Sequence, residues 1–115
     1  MAVAPQIPQR YQVSATAEQE GEVLLSTDGP PRPLRSLPPA AFGGSGDRWS
    51  PETLLVASIA NCFVLTLRAL GRASGVRWLG LECRVEGALE RVDGVAQFSR
   101  FVTYAKLTVP RGTDE

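Results

Sequence analysis

The sequence contains no histidine. That excludes Ser/His/Asp and Cys/His catalysis from this chain alone, and with them histidine-based metal sites. Cysteine is scarce, with only Cys62 and Cys83 among the 115 residues. Two thiols are too few for a zinc cluster or a disulfide scaffold. Charge of either sign is not in excess, since 12 Lys and Arg balance 12 Asp and Glu. A neutral chain carries no electrostatic footprint for nucleic acid or anionic lipid. Lysine is nearly missing as well. Lys106 is the only one, so the cations are otherwise arginines, which favours ion pairing and oxyanion contact over lysine chemistry. The longest apolar stretch, residues 54–67, is interrupted by Ser58, Asn61 and Thr66 and closed by Arg68. Read as a run of that length, it is too short to span a bilayer. Residues 1–8 are apolar but lack a basic start and a cleavage pattern, so they do not read as a signal peptide. A soluble cytoplasmic protein with reduced thiols is expected.

What is present is globular. Apolar residues make up 43% and charged residues 21%, and the length is that of one ordinary domain with a core of its own. Residues 11–17 alternate Tyr11, Val13 and Ala15 against Gln12, Ser14 and Thr16, the pattern of a half-buried strand. A polar turn at 18–21 and a second strand over 22–27 complete a hairpin. Residues 28–47 hold five prolines and then Gly43-Gly44-Ser45-Gly46, so they read as loop, with a short edge strand near 34–37. The glycine cluster lacks the Gly-Lys-Ser/Thr ending of a phosphate cradle and reads as a mobile loop.

Ser50-Pro51-Glu52 is a cap residue, a proline at the first helical position and an acid in the first turn. A helix is predicted from Pro51 to about Ser74, stopped by Gly75. Its middle is apolar almost all round, which calls for burial on most faces. A 115-residue chain cannot easily bury a helix about 36 Å long by itself, so a partner subunit is expected to cover part of it. From Leu79 to Glu90 apolar and polar residues alternate as a long strand. Asp93-Gly94 is a strong hairpin turn, and 95–109 is the return strand. In that strand Phe101, Ala105, Leu107 and Val109 share one register, while Phe98, Val102 and Tyr104 share the other. A bulge, or burial on both faces, would reconcile them. Thr113-Asp114-Glu115 reads as a helix cap with first-turn acids, so the chain is expected to stop where a second helix begins, short relative to its relatives, or else to end in polar residues.

Cys62 lies mid-helix in an apolar stripe. It reads either as a small buried hydrophobe or as a reactive thiol, which requires positive charge nearby to lower its pKa. Arg48, Arg35, Arg32 and Arg68 are the candidate cations. Glu52 reads as a helix-dipole partner. It precedes Cys62 by ten residues, about 15 Å along one helix, so the two can share a site only across an interface where two such helices cross. Cys83 sits on the apolar face of a strand and reads as core.

The segment Phe42-Gly43-Gly44-Ser45-Gly46-Asp47-Arg48-Trp49-Ser50-Pro51-Glu52-Thr53-Leu54-Leu55, followed by Ala57-Ser58-Ile59-Ala60-Asn61-Cys62-Phe63, resembles the OsmC/Ohr family. These are the osmotically inducible and organic-hydroperoxide-resistance proteins. The Pro-Glu pair at the helix start and the Cys-Phe ten residues on are its most specific local signature, and the resemblance spans residues 11–113. It implies a single α+β domain over residues 1–115: an N-terminal β-hairpin, a long buried central helix and a further antiparallel β-hairpin. It also implies an intertwined homodimer with central helices back to back. The implied activity is thiol-dependent reduction of organic hydroperoxides, with Cys62 as the peroxidatic thiol and Glu52 orienting a catalytic arginine. The hairpin turn at 18–21 has no arginine, so Arg48 or Arg35 must serve. No metal or other cofactor is expected; an external thiol is the expected reductant, because Cys83 matches no catalytic position of the family. Nucleic acid and membrane are not expected partners. The alternatives are a non-enzymatic OsmC-like dimer that holds a small apolar ligand or serves a structural role, and an unrelated α+β domain.

Overall fold

A computed structural model of the chain describes residues 7–113. Asp114 and Glu115, the acids of the expected second helix, lie outside the described residues, as do residues 1–6. The chain divides into two compact units, Met1–Pro51 and Glu52–Glu115.

The first unit is an antiparallel sheet of three short strands in the order β1 (Ser14–Thr16), β2 (Val23–Ser26), β3 (Leu34–Ser36). Ala15 pairs with Leu25, and Leu24 with Arg35. β1 is shorter than the alternation over 11–17 suggests, and it is exposed rather than half-buried. Only three residues find partners on β2, so alternation alone overstated this strand. Past β3 the chain makes a 3₁₀ turn, Ala40–Phe42, closed by Gly43 in the left-handed region at φ 98°. It then returns: the Leu37 N–H donates to the Trp49 carbonyl at 2.9 Å, and Ser36 bridges Trp49 in parallel. Residues 38–48 are thus a closed loop whose two ends are zipped together. Gly44 sits inside it, its N–H donating to the Pro39 carbonyl at 3.1 Å.

The second unit is one helix and one long hairpin. Helix α1 spans Pro51–Ser74, the limits expected from the cap and the stop. Gly75 takes φ 71°, and the Val76 N–H reaches back to the Gly71 carbonyl at 3.0 Å. This is a Schellman closure, which a residue with a Cβ adopts only under strain. Trp78 then folds over Gly71, where a Cβ would lie 3.0 Å from the indole nitrogen.

β4 (Gly80–Val92) and β5 (Val95–Thr108) pair antiparallel through the turn at Asp93 and Gly94, both at positive φ, 52° and 78°. Two positive φ values in succession make the primed turn that matches strand twist. Leu81, Cys83, Val85 and Gly87 share one face with Leu107, Ala105, Thr103 and Phe101. A bulge interrupts the ladder: Ala88 pairs with Arg100 but Leu89 with Phe98. The extra residue, Ser99, turns its hydroxyl toward the Ala88 carbonyl and the Glu90 carboxylate. One extra residue reverses the alternation. Phe98 therefore joins Phe101, ring centroids 5.1 Å apart, while Val102 and Tyr104 stay on the other face. Both rings and the Val56 side chain of α1 converge on Gly87, where a Cβ would meet them at 2.9–3.0 Å. This is where α1 packs on the hairpin.

That packing covers one stripe of α1. Val56, Ala60, Val64, Leu67 and Gly71 are half-buried, while Leu55, Phe63, Leu65 and Leu70 are exposed. No residue of α1 is buried, so the burial its composition calls for is not supplied within this chain. Among the described residues no apolar side chain is buried at all.

The helix also outruns the apolar stretch read from sequence. At 24 residues it is long and apolar enough to cross a membrane by length and composition, so the shortness of residues 54–67 no longer argues against a span. A core helix passes the same test, and the Val56–Gly87 contact is one that a core helix makes.

Candidate functional site

Two clusters carry chemistry, one in each unit. In the second unit Cys62 is exposed, its thiol unpaired with Cys83. It lines an open groove of about 440 Å³ with Ile59, Phe63, Thr66, Leu67 and Leu70 of α1 and Thr103 of β5. These helix residues recur at three- and four-residue spacing along the flank of α1 beside its packed stripe. The groove is aliphatic and aromatic, with a thiol and two hydroxyls as its polar groups. Thr66 Oγ1 lies 3.9 Å from Cys62 Sγ. The sequence shows Thr66 as an interruption of an apolar run; its spacing of four from Cys62 is the signal that could have placed it beside the sulfur.

Glu52 opens the same helix. Its Oε1 is shielded from solvent and has no hydrogen-bond partner among the described residues. A shielded carboxylate oxygen without a donor is unfavourable.

In the first unit the two candidate arginines meet on one carboxylate. Arg35 Nη1 lies 3.3 Å from Glu22 Oε1, and Arg48 donates through Nε to Glu22 Oε2. Arg48 Nη1 also donates to the Asp47 carbonyl at 3.2 Å, and the Ser45 hydroxyl donates to the Asp47 carboxylate. Glu22, at the start of β2, thereby ties β3 and the closed loop to the sheet. Sequence reasoning missed Glu22, because it lies 13 and 26 residues from its two partners. Its only signal is an acid at the foot of a strand.

The charges respond. The Arg48 hydrogen bond holds the Glu22 carboxyl below its ordinary value, with both guanidiniums adding to the effect. Arg48 is raised in return, and the Ser45 hydroxyl lowers Asp47. A carboxyl lowered in the folded state adds stability that is present above its ordinary value of 4.5 and is lost as pH falls through the folded-state value. Replacing Glu22 with Gln is therefore expected to lower stability slightly above that ordinary value and to lose this effect as pH falls through the folded-state value. Thermal midpoints followed across this range would contradict the assignment if the two proteins stayed parallel.

Cys83 is half-buried between Leu81 and Val85, opposite Ala105. On the other face Arg84 lies over the Tyr104 ring at 4.2 Å and pairs with Glu86. Among the described residues no group of three or more metal-ligating side chains could hold an ion.

A helix opened by Pro-Glu, an exposed cysteine ten residues on and a long hairpin packed against that helix define a class. Residues 44–115 match the family of OsmC-like proteins, and this chain belongs to that family. Its fold is similar to the crystal structure of an organic hydroperoxide resistance protein, OsmC, from Legionella pneumophila. The TM-score is 0.63 at 22% identity, over 89% of this chain and 70% of that one. In sequence the chain is similar to an uncharacterized protein, YmaD, of Bacillus subtilis (strain 168), 27% identical over 64 residues. That match takes in 56% of this chain and 43% of YmaD, so the chain spans less than half the length of that relative. The fold is thus the α+β arrangement of this family.

Proposed function

We propose that this protein is a soluble cytoplasmic thiol peroxidase that reduces organic hydroperoxides, acting as a homodimer with Cys62 as its peroxidatic residue. The observation that carries the reading is the exposed Cys62 thiol in an apolar groove of a chain belonging to the OsmC-like family. The Legionella protein of similar fold, an organic hydroperoxide resistance protein, supports the same direction.

The chemistry follows from the side chains. The Cys62 thiolate attacks the terminal peroxide oxygen. The O–O bond breaks, and the alkoxide leaves and takes up a proton as alcohol. Sulfur is oxidised by two electrons to a sulfenic acid. One external thiol then condenses with it, releasing water and forming a mixed disulfide. A second thiol displaces Cys62 as thiolate. An arginine, Arg48 or Arg35, is the cation that steadies the charge developing on oxygen. Glu52 orients that arginine. Because ten residues of helix hold Glu52 and Cys62 about 15 Å apart, the reading pairs Glu52 of one copy with Cys62 of the other. Apolar groove walls favour an alkyl or lipid peroxide over hydrogen peroxide. No resident cofactor is required.

A second reading has one specific support. Both candidate arginines are already engaged by Glu22, which suits a non-enzymatic dimer that holds a small apolar ligand in the groove.

Consumption of cumene hydroperoxide with dithiothreitol or dihydrolipoamide separates the two. The native chain and Cys83→Ser are expected to turn over alike, and Cys62→Ser to lose at least about a hundredfold. No turnover by the native chain would overturn the peroxidase reading and move the weight to the ligand-holding dimer.

A further inference from the structure

The hydroxyls of α1 are not used alike. Ser58 donates to the Leu55 carbonyl at 2.6 Å, and Ser74 to the Leu70 carbonyl at 2.7 Å. Both turn back onto the helix, as short polar side chains on a helix commonly do. Thr66 does something else. Its Oγ1 lies 3.9 Å from Cys62 Sγ, one turn away on the same flank, inside the groove. Sulfur is large and its hydrogen bonds are long, so this separation is a contact between the two groups. A neutral thiol gains little from a hydroxyl neighbour. A thiolate, which only accepts, gains a charge-assisted hydrogen bond. The contact sets a hydroxyl beside the sulfur. It also limits the directions in which the sulfur can point.

We propose that Thr66 is a positioning residue for Cys62, donating its hydroxyl proton to the thiolate and holding the sulfur toward the groove. The proposal rests on the reading of Cys62 as a reactive thiol, but its test needs no hydroperoxide. In a Cys83→Ser background Cys62 is the sole thiol, and its alkylation by iodoacetamide across pH reports its ionisation. Thr66→Val removes the hydroxyl and keeps the branched shape, while Thr66→Ala removes it without the extra methyl. Both are expected to shift the profile toward higher pH and to slow alkylation near neutrality by about three- to tenfold. Thr66→Ser keeps the donor and is expected to restore the profile. Thr103→Val removes the other hydroxyl of the groove, which has no hydrogen bond to the sulfur, and is expected to leave the profile in place. Profiles of Thr66→Val and Thr66→Ala that superimpose on the parent would overturn the proposal. So would an equal shift in Thr103→Val, because groove polarity alone would then explain the effect. Failure of the peroxidase reading shows separately, as absent turnover of hydroperoxide with the alkylation profile still measurable.

Discussion

Leu65→Asp is expected to separate a two-copy particle into single chains, read as a halving of mass by light scattering. Leu65 lies on α1 away from the stripe that meets the hairpin, and 50% of it is exposed. Leu55 and Phe63 are exposed on the same helix. Exposed apolar surface of this kind marks an interaction site, and the proposed homodimer would cover it. In a symmetric pair each copy contributes the same residue, so one substitution acts twice. Losing the burial of the exposed halves of two leucines removes about 1.5–3 kcal/mol, and two carboxylates placed in an apolar seam add their desolvation. Association is expected to weaken by a factor of about a thousand or more. Folding coupled to association also makes the thermal midpoint of the native chain rise with protein concentration. A Leu65→Asp protein that keeps a two-chain mass, or a native chain that scatters as one copy, would end this account of α1.

Gly44→Ala is expected to cost about 3 kcal/mol or more in the stability of the first unit, lowering its thermal midpoint and loosening Arg48. A Cβ at this position would lie 1.7 Å from the Pro38 carbonyl oxygen and 2.7 Å from its carbon. Those atoms are backbone and cannot rotate aside. The loop ends are also held, since Leu37 is bonded to Trp49 across its neck. The loop must therefore open, and the Gly44–Pro39 hydrogen bond goes with it. Arg48 leaves this loop at its far end, toward Glu22. An unchanged midpoint would mean that the loop tolerates the methyl group, contrary to its geometry. The same substitution at Gly43, where space is open and only the left-handed φ resists, is expected to cost less, about 1 kcal/mol.

How much of this was legible depends on range along the chain. Ser50-Pro51 and Gly75 bound α1 because helix ends are specified by their nearest residues. Asp93-Gly94 set the hairpin because only such pairs take two positive φ values cheaply. The conflict between Phe98 and Phe101 was visible as broken alternation, but not which residue would be extra. Ser99 is extra because only then do both rings reach Gly87 and Val56. Tyr11 and Val13 alternate as a strand should, yet β1 begins only at Ser14, because a strand needs a neighbour along its whole length.

The sequence by itself therefore determined the order and ends of α1 and the β4–β5 hairpin, the position of Cys62 on that helix, and membership of a family with that pattern. Each of these is written in caps, turns and periodicity within a few residues. Only the tertiary structure decided that Glu22 is the carboxylate shared by Arg35 and Arg48, that Thr66 faces the Cys62 sulfur across the groove wall rather than its own backbone, and that α1 leaves a face of leucine and phenylalanine uncovered. The ion pairs join residues far apart in the chain, the hydroxyl chooses between a carbonyl and a sulfur at nearly equal reach, and burial depends on what the rest of the chain brings near. None of these has a local signal, because each is settled by competition among partners that only folding places together.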